Sequence, residues 1–306
     1  MSGGWKASLA AVLRQHNGRK AGGSVAGFAT QSKRAETLYA GFNELRELGF
    51  KLNNVQEFRG RHMRGLAASW EKQGLQPSTI QNRISNFRMF SEWIGKSGMI
   101  EASEKYVSNP GAVHRSSINK VDKSWSAHGI DEAAVIAEVA AKDPRCGIQL
   151  ELQRTFGLRP RESWMLRPHL DDKGTFLTVS HGTKGGRDRV VKIDTPEKRA
   201  VLERAKSFAG KCSSTIDPGK KLGQWKSRYY FVVRKCGLKR RGGLNATSHG
   251  LRHQHSNDVY KCKTGVNSPV RGGGPVDPET DRAARLEIAE ELGHSRESIS
   301  THYLGR

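Results

Sequence analysis

Six side chains in the C-terminal half of the chain are of the types needed to move a phosphodiester bond. They are Arg159, Lys184, His249, Arg252, His294 and Tyr303. Such a reaction needs a nucleophile, cations that hold the non-bridging oxygens as charge builds, and an acid that protonates the leaving oxygen. Arginine suits the second task because its planar fork binds phosphate bidentately and keeps its charge. A tyrosine hydroxyl, with an ordinary pKa of about 10, becomes a nucleophile where its proton is removed or cations stabilise its anion.

The local sequence around these residues suggests how they are positioned. Glu162 follows Arg159 by three positions, so its carboxylate could orient the guanidinium. His249 and Arg252 are also three apart and would share one face of a helix. Lys184 lies in a glycine-rich stretch between two strand patterns, at the tip of a predicted hairpin. Taken singly, these features equally fit a surface ion pair, a core histidine beside a surface arginine, and a solvated turn lysine.

Their order and local contexts resemble the tyrosine recombinase (phage integrase) family. The matching segments are Gly157-Leu158-Arg159-Pro160-Arg161-Glu162, the turn around Lys184, His249-Gly250-Leu251-Arg252, Leu292-Gly293-His294, and Tyr303 nine residues after His294. The connection from Arg252 to His294 is longer than is usual in the family, which predicts an insertion at about residues 261–280. That insertion could contact DNA or a neighbouring subunit, or it could be a tolerated surface insertion.

The resemblance implies DNA strand cleavage and rejoining through a 3′-phosphotyrosyl intermediate. Tyr303 would be the nucleophile, and Lys184 would be the general acid on the leaving 5′ oxygen. His249 would assist proton movement at the tyrosine. The remaining expected site residues, which would hold the phosphate or support that grip, are Arg159, Arg252, His294 and Glu162. No cofactor and no metal ion are implied, because the covalent link preserves the bond energy for rejoining.

Composition agrees with a nucleic-acid partner without proving one. Among 306 residues, Lys and Arg number 52 against 30 Asp and Glu, a formal net charge of +22. This excess favours a polyanion partner, although a solvated basic surface or a ribosome-associated protein would show it too. The four cysteines lack the paired spacing of a zinc ribbon or a disulfide framework. Without an apolar run long enough for a membrane span, we expect a cytoplasmic protein, located by resemblance at the bacterial nucleoid.

The periodicity predicts a mainly α fold with a small antiparallel β-hairpin or sheet. A flexible basic arm is expected over residues 1–28 and a basic helical domain over 29–105, which resembles the family's core-binding (SAM-like) DNA-binding domain. A linker rich in Ser, Asn, Pro and Gly is expected over 106–126. A mixed α/β domain, matching the family's catalytic domain, is expected over 127–306. Its two strand patterns, at about 175–179 and 189–193, flank the hairpin turn.

The third predicted helix of the first domain, after Pro77, has one apolar face and one polar face. The polar face carries side chains suited to phosphate and base-edge contacts, which makes them candidate DNA-binding residues. They are Gln81, Asn82, Arg83, Asn86 and Arg88. The alternative is the solvated face of an ordinary amphipathic helix.

The resemblance also implies partners. We expect double-stranded DNA recombination sites, a homotetramer on DNA, and host accessory DNA-bending factors, in the setting of a phage or other mobile element. Two other functions stay open on the sequence. One is DNA relaxation of the type IB topoisomerase kind, which uses similar phosphotyrosine chemistry. The other is a DNA-binding or architectural protein without catalysis.

Overall fold

The computed structural model describes residues 4–19, 23–113, 118–294 and 296–306 of the chain. The chain divides into two compact units, Met1–Arg115 and Ser116–Arg306. The division falls within residues 106–126, where the sequence predicts a linker, although residues 114–117 of that segment lie outside the described residues. The flanking parts of the segment belong to the units themselves, because Tyr106 packs in the core of the first unit and Trp125 is fully buried in the second.

The first unit is helical and is built around an aromatic core. Its helices are α1 (Trp5–His16), α2 (Phe28–Glu47), α3 (Gly60–Lys72) and α4 (Pro77–Trp93), with short 3₁₀ turns at Val55–Glu57, Ser103–Tyr106 and Pro110–Val113. The rings of Phe42 and Phe90 meet edge to face with their centroids 5.4 Å apart. The ring centroids of Phe42 and Phe87 lie 6.1 Å apart. Gly41 on α2 has no side chain, which leaves room for the Phe87 ring of α4. Interlocking aromatic packing therefore fixes how these helices meet.

The N-terminal 28 residues, expected to form a flexible basic arm, instead contain a packed helix. Within their described part, α1 buries Trp5 and Leu9 in the core of the first unit. The Trp5 ring stacks on Phe42 with the centroids 5.6 Å apart. The segment's glycines and basic residues suggested disorder, but Trp5, Leu9, Val12 and Leu13 recur at helical spacing and form an apolar face. Residues 1–3 and 20–22 of the expected arm lie outside the described residues.

The second unit confirms the mainly α fold with a small antiparallel β-hairpin. Its elements are α5 (Glu132–Lys142), α6 (Pro144–Phe156), α7 (Pro160–Met165), α8 (Pro168–Asp171), β1 (Phe176–Val179), β2 (Arg189–Lys192), α9 (Pro196–Ser207), α10 (Leu222–Lys235), α11 (Gly250–Thr264), α12 (Pro278–Glu291) and α13 (Thr301–Leu304). Proline opens several of these helices, where its missing N–H costs nothing and its fixed φ suits a first turn. Strands β1 and β2 pair with Val179 opposite Arg189 and Leu177 opposite Val191. These four side chains face inward, in the alternation expected of a half-buried hairpin.

The segment predicted to be an insertion, at about residues 261–280, is integrated into the second unit. Its first residues complete α11, and its last residues begin α12. Between them, the Arg271 guanidinium pairs with Asp122 at 3.0 Å and with Asp258 at 2.7 Å. The Ser268 hydroxyl is buried and donates to the side-chain oxygen of Asn257. This segment therefore fastens α11 to the chain near residue 122. Among the described residues, no helix is long and apolar enough to cross a membrane.

Candidate active site

The run at residues 157–162 folds into a tight turn that presents Arg159. Gly157 ends α6 in the left-handed conformation (φ 59°), and a Cβ there would lie 2.6 Å from the His255 ring. Pro160 then opens α7. The Glu162 carboxylate accepts the Arg159 backbone N–H at 2.7 Å and the same residue's Nη1 at 2.6 Å. One carboxylate thus caps the helix and orients the guanidinium beside it.

Glu162 is fully buried and holds more than one arginine. The Arg189 guanidinium, at the start of β2, reaches it with two bonds, Nη1 to Oε1 at 3.0 Å and Nη2 to Oε2 at 2.7 Å. Arg252 Nη1 lies 3.8 Å from Oε2. Burial alone would raise the pKa of Glu162. The hydrogen bonds and charge of Arg189, together with the charges of Arg252 and Arg159, outweigh burial and lower that pKa to about 2. Glu162 is therefore ionised at neutral pH.

Arg252 is completely buried on α11 and connects the two ends of the site. Its Nη1 donates to the Gly157 carbonyl at 2.5 Å, and its Nη2 donates to the Leu292 carbonyl at 2.6 Å. Its Nε donates to the Tyr303 hydroxyl at 3.1 Å. Burial lowers the pKa of Arg252 to about 10, so the guanidinium keeps its charge at neutral pH. A fixed cation consequently lies against the phenol oxygen.

His294 follows the C-terminal turn of α12, where Gly293 has a φ of 73°. The backbone N–H of His294 closes the turn by donating to Ala289 O at 2.8 Å. Its Nε2 lies 3.3 Å from Arg159 Nη2, and because an arginine only donates, Nε2 accepts and the ring proton is on Nδ1. Burial, followed by the charges of Arg252 and Arg159, lowers the pKa of His294 to about 4. The imidazole is neutral at physiological pH.

Two histidines, one just before α11 and one within it, lie near the tyrosine ring. His249, just before the helix, stays exposed on one side, and its ring centroid lies 6.4 Å from that of Tyr303. His253, one turn later, is buried, and its ring centroid lies 4.9 Å from that of Tyr303. The two imidazoles meet edge to face at 5.4 Å. Desolvation of the side of the ring that packs on the protein, followed by the charges of Arg252 and Arg159, lowers the pKa of His249. Its neutral form can then accept a proton.

Tyr303 lies on the short helix α13 and is 6% exposed. The adjoining residues hold it in place. The N–H of Asn119 donates to Thr301 O at 2.9 Å, and Arg285 Nη1 donates to Gly305 O at 3.0 Å. Leu304 is fully buried. The phenol is therefore placed by tertiary contacts, since a single turn of helix has little stability of its own.

Lys184 is the one expected site residue of the second unit that the structure does not bring to the cluster. It is exposed in the turn between β1 and β2, and no hydrogen bond or ion pair joins it to the rest of the described chain. The base of this turn is nevertheless fixed near the site. Gly182 (φ 78°) packs so closely on α7 that a Cβ there would lie 2.6 Å from the carbonyl oxygen of Arg161. The lysine thus extends from a base anchored on the helix that carries Glu162.

The candidate DNA-binding residues of the first unit differ in their surroundings. The Arg83 guanidinium lies 5.1 Å from the centroid of the Trp70 ring. Arg88 donates to the carbonyl oxygens of Ile100 and Glu101, at 3.1 and 2.5 Å. These two long side chains fold back onto their own unit. The remaining candidates on α4 are a half-buried Gln81, an exposed Asn82 and a half-buried Asn86.

Sequence reasoning missed two residues of the cluster, Arg189 and His253. Arg189 is a charged residue in a strand, and its inward direction could have been inferred from the alternation with Val191. His253 directly follows Arg252 in the sequence. One helical turn separates it from His249, and that spacing places both imidazoles on one face.

The architecture is that of known DNA integrases and recombinases. Over 96% of this chain and 76% of the other, it superposes on a lambda integrase dimer bound to a COC′ core site, with a TM-score of 0.62 at 15% identity. Over 91% of this chain and 76% of the other, it superposes on the XerH site-specific recombinase bound to a palindromic difH substrate, with a TM-score of 0.57 at 17% identity. At such identities the likeness establishes the fold.

Sequence comparisons identify the family. The model described as "Phage integrase, N-terminal" matches residues 9–100, and the model described as "Integrase" matches residues 116–258. Tyrosine recombinase XerC of Xanthomonas axonopodis pv. citri is 26% identical over 211 residues, which are 67% of this chain and 66% of the relative. Its counterpart in Xylella fastidiosa (strain 9a5c) is 28% identical over 205 residues, 65% of this chain and 66% of the relative. The match spans just under two thirds of the length of these relatives. The chain belongs to the tyrosine recombinase (phage integrase) family.

Proposed function

We propose that this protein is a site-specific DNA recombinase that cleaves and rejoins DNA through a 3′-phosphotyrosyl intermediate. The observation that carries the proposal is the 3.1 Å contact between Arg252 Nε and the Tyr303 hydroxyl, inside a cluster that also contains Arg159, His249 and His294. A phenol oxygen held beside a buried cation is placed to attack a phosphate whose developing charge that cation would stabilise.

In the first step, the Tyr303 oxygen attacks the scissile phosphorus. The proton of the Tyr303 hydroxyl passes to the neutral His249 imidazole. The bond from phosphorus to the 5′ oxygen breaks, and that oxygen takes a proton from Lys184, which the exposed turn brings to the bound DNA. The products are a phosphotyrosine on the 3′ side of the break and a free 5′-hydroxyl. Rejoining reverses these steps when a 5′-hydroxyl attacks the phosphotyrosine, so no external energy source is consumed.

The cations stabilise the charge on the five-coordinate phosphate. Arg159 is the more available of the two central arginines, because it is about one-fifth exposed whereas Arg252 is completely buried. His294, held by Arg159, supplies a neutral imidazole with its proton on Nδ1. Glu162 supports the site by orienting Arg159 and by keeping the cluster from being wholly cationic, which limits the repulsion among its arginines.

The partner in this proposal is a double-stranded DNA recombination site. The first unit would serve as the core-binding domain, with Asn82 as the most exposed of the candidate contacts on α4. Similar structures include a lambda integrase dimer bound to a core site and a lambda integrase tetramer bound to a Holliday junction. We extend this to a homotetramer acting on two duplexes, assisted by host DNA-bending factors, in the bacterial nucleoid and for a phage or other mobile element.

The proposal is tested with nicked suicide duplexes that tile the DNA flanking the gene. The wild-type protein should form a covalent protein–DNA adduct that survives denaturation, and Tyr303→Phe should form none. The same variant should retain salt-sensitive DNA binding, since the loss of one hydroxyl leaves the basic surfaces intact. Adducts that persist in Tyr303→Phe would refute the choice of nucleophile.

Two other outcomes would favour the competing functions. Relaxation of a supercoiled plasmid that lacks a recombination site, at many turnovers per protein, would indicate a type IB topoisomerase-like activity. Binding of the tiled duplexes without an adduct or relaxation by the wild-type protein would indicate a non-catalytic DNA-binding protein.

A further inference from the structure

Arg189 has the geometry of a residue that aligns the site without touching the substrate. It is 7% exposed, and its guanidinium binds Glu162 and the end of α12. Both Nη atoms bind the Glu162 carboxylate, at 3.0 and 2.7 Å. Its Nε donates to the Glu291 carbonyl oxygen at 2.6 Å. These three bonds join β2, α7 and α12.

Through its bonds to Glu162, Arg189 also affects the orientation of Arg159. The same carboxylate oxygen, Oε1, accepts from Arg189 Nη1 at 3.0 Å and from Arg159 Nη1 at 2.6 Å. The other oxygen, Oε2, accepts from Arg189 Nη2 and from the Arg159 backbone N–H, both at 2.7 Å. With Arg189 in place, the carboxylate has fixed partners on both oxygens and cannot rotate. Arg159 is then presented in one orientation.

Through its contact with the end of α12, Arg189 also affects the position of His294. Glu291 O is one of the last carbonyls of that helix, and the Arg189 charge is favourable there because helix C-termini carry partial negative charge. The stem of Arg189 also packs on Gly293, where a Cβ would lie 3.1 Å from Arg189 Cδ. Gly293 directly precedes His294. The turn that orients the imidazole is therefore shaped around the Arg189 side chain.

We propose that Arg189 is a positioning residue for DNA cleavage: it fixes Arg159 through Glu162, and it fixes His294 through the last turn of α12. Arg189 is also the first residue of β2, the strand that follows the turn carrying Lys184. Its bonds therefore also fix the position of the hairpin relative to the phosphate-binding side chains. This inference rests on the proposed function, since it concerns the same reaction.

The test compares Arg189→Leu, Arg189→Lys and Glu162→Gln with the wild-type protein. The rate of single-turnover adduct formation is measured on a nicked duplex at saturating protein, and DNA affinity is measured separately. We expect Arg189→Leu to cleave about 100-fold more slowly with DNA affinity within about twofold of wild type, because a misplaced group costs rate rather than binding. Arg189→Lys, which can still donate to one oxygen, should recover part of the rate.

Arg199→Leu is the matched control. Arg199 also pairs with a nearly buried carboxylate, Asp172 (8% exposed), but it lies on α9 outside the cluster. Arg199→Leu should lower thermal stability by less than Arg189→Leu, because the Arg199 side chain is 35% exposed and Lys206 still pairs with Asp172. The cleavage rate of the folded Arg199→Leu protein should be unchanged. If Arg189→Leu lowers the melting temperature yet cleaves at the wild-type rate once folded, its role is structural and the inference is wrong.

The double variant Arg189→Leu/Glu162→Gln tests the route through Glu162. If Arg189 acts through that carboxylate, the double variant should cleave no more slowly than the slower single variant. Multiplied rate losses would show independent roles and overturn the route. Should Arg189→Leu fail to fold, the same comparison is made with Arg189→Lys. A wild-type protein that forms no adduct would refute the proposed function itself, whereas a failure confined to these variants would refute only this inference.

Discussion

The buried imidazole of His253 should make the second unit lose stability in mild acid. His253 is 6% exposed and packs on the Tyr303 ring, and no hydrogen-bond partner for its Nδ1 exists among the described residues. Burial, followed by the charges of His249 and Lys123, lowers its pKa to about 3. Arg252 acts in the same direction, and Asp122 alone opposes them. The folded protein therefore holds this ring neutral at pH 5.

The magnitude follows from the difference between the folded and unfolded chains. A histidine in the unfolded chain has a pKa of about 6.5. At pH 5, His253 is therefore almost fully protonated in the unfolded chain and neutral in the folded protein. The stabilisation is complete above pH 6.5 and is lost as the pH falls toward 3. Between pH 7.5 and pH 5, this one side chain should lower the free energy of unfolding by about 2 kcal/mol. The linkage of Glu162 has the same sign but falls outside this window, because its stabilisation is lost only below about pH 4.3.

His253→Phe keeps a ring against Tyr303 and removes the titration, so it isolates this effect. Urea unfolding at pH 7.5 and pH 5 should show a stability loss about 2 kcal/mol smaller in the variant than in the wild-type protein. The His253 signal in NMR spectra is the imidazole Cε1–H resonance that is absent from the variant. In the wild-type protein, this resonance should keep the chemical shift of a neutral imidazole at pH 5. A midpoint near 6.5 for that resonance, or equal acid sensitivity of the two proteins, would refute the reasoning.

Two glycine substitutions test other close contacts. Gly293→Ala should lower stability by about 1 kcal/mol through its φ of 73° and should also slow adduct formation, because the new methyl group presses on Arg189. Gly265→Ala is the control, with a similar φ of 72° and open space around it, and equal cleavage rates in the two variants would contradict the role of the contact. Gly41→Ala places a methyl 2.5 Å from the Phe87 ring, so it should cost about 1–3 kcal/mol in thermal unfolding. Adding Phe87→Leu should restore part of that loss, and no gain would argue against overpacking.

The parts of the site that were predictable from sequence are those set by local geometry. Arg159 and Glu162 are three residues apart, and a helix cap at Pro160 brings them together whatever the rest of the chain does. The contact between Arg159 and His294 spans 135 positions. No propensity or spacing specifies such a pair, and only the family resemblance grouped those two residues.

Side chains that turn inward or fold back were the hardest to predict. Arg189 shares its face of the short strand β2 with the apolar Val191, but a charged residue in such a strand suggests the solvent face until its buried carboxylate partner is known. Arg83 and Arg88 lie on the polar face of α4 as predicted, yet their long stems bring the charges back onto Trp70 and onto the loop after the helix. Helix α1 is hard to predict because its glycines and basic residues favour disorder, whereas its apolar residues recur at helical spacing.

The bond from Asn119 to Thr301 has a consequence for the order of folding. It joins the first described residues of the second unit to the turn that leads into α13. Contacts between distant parts of a chain form late, and a four-residue helix cannot form before the surfaces that hold it exist. The tyrosine should thus reach Arg252 only after the whole unit has assembled. A half-folded molecule would then carry its positive charges but no seated nucleophile, and it could bind DNA without breaking it.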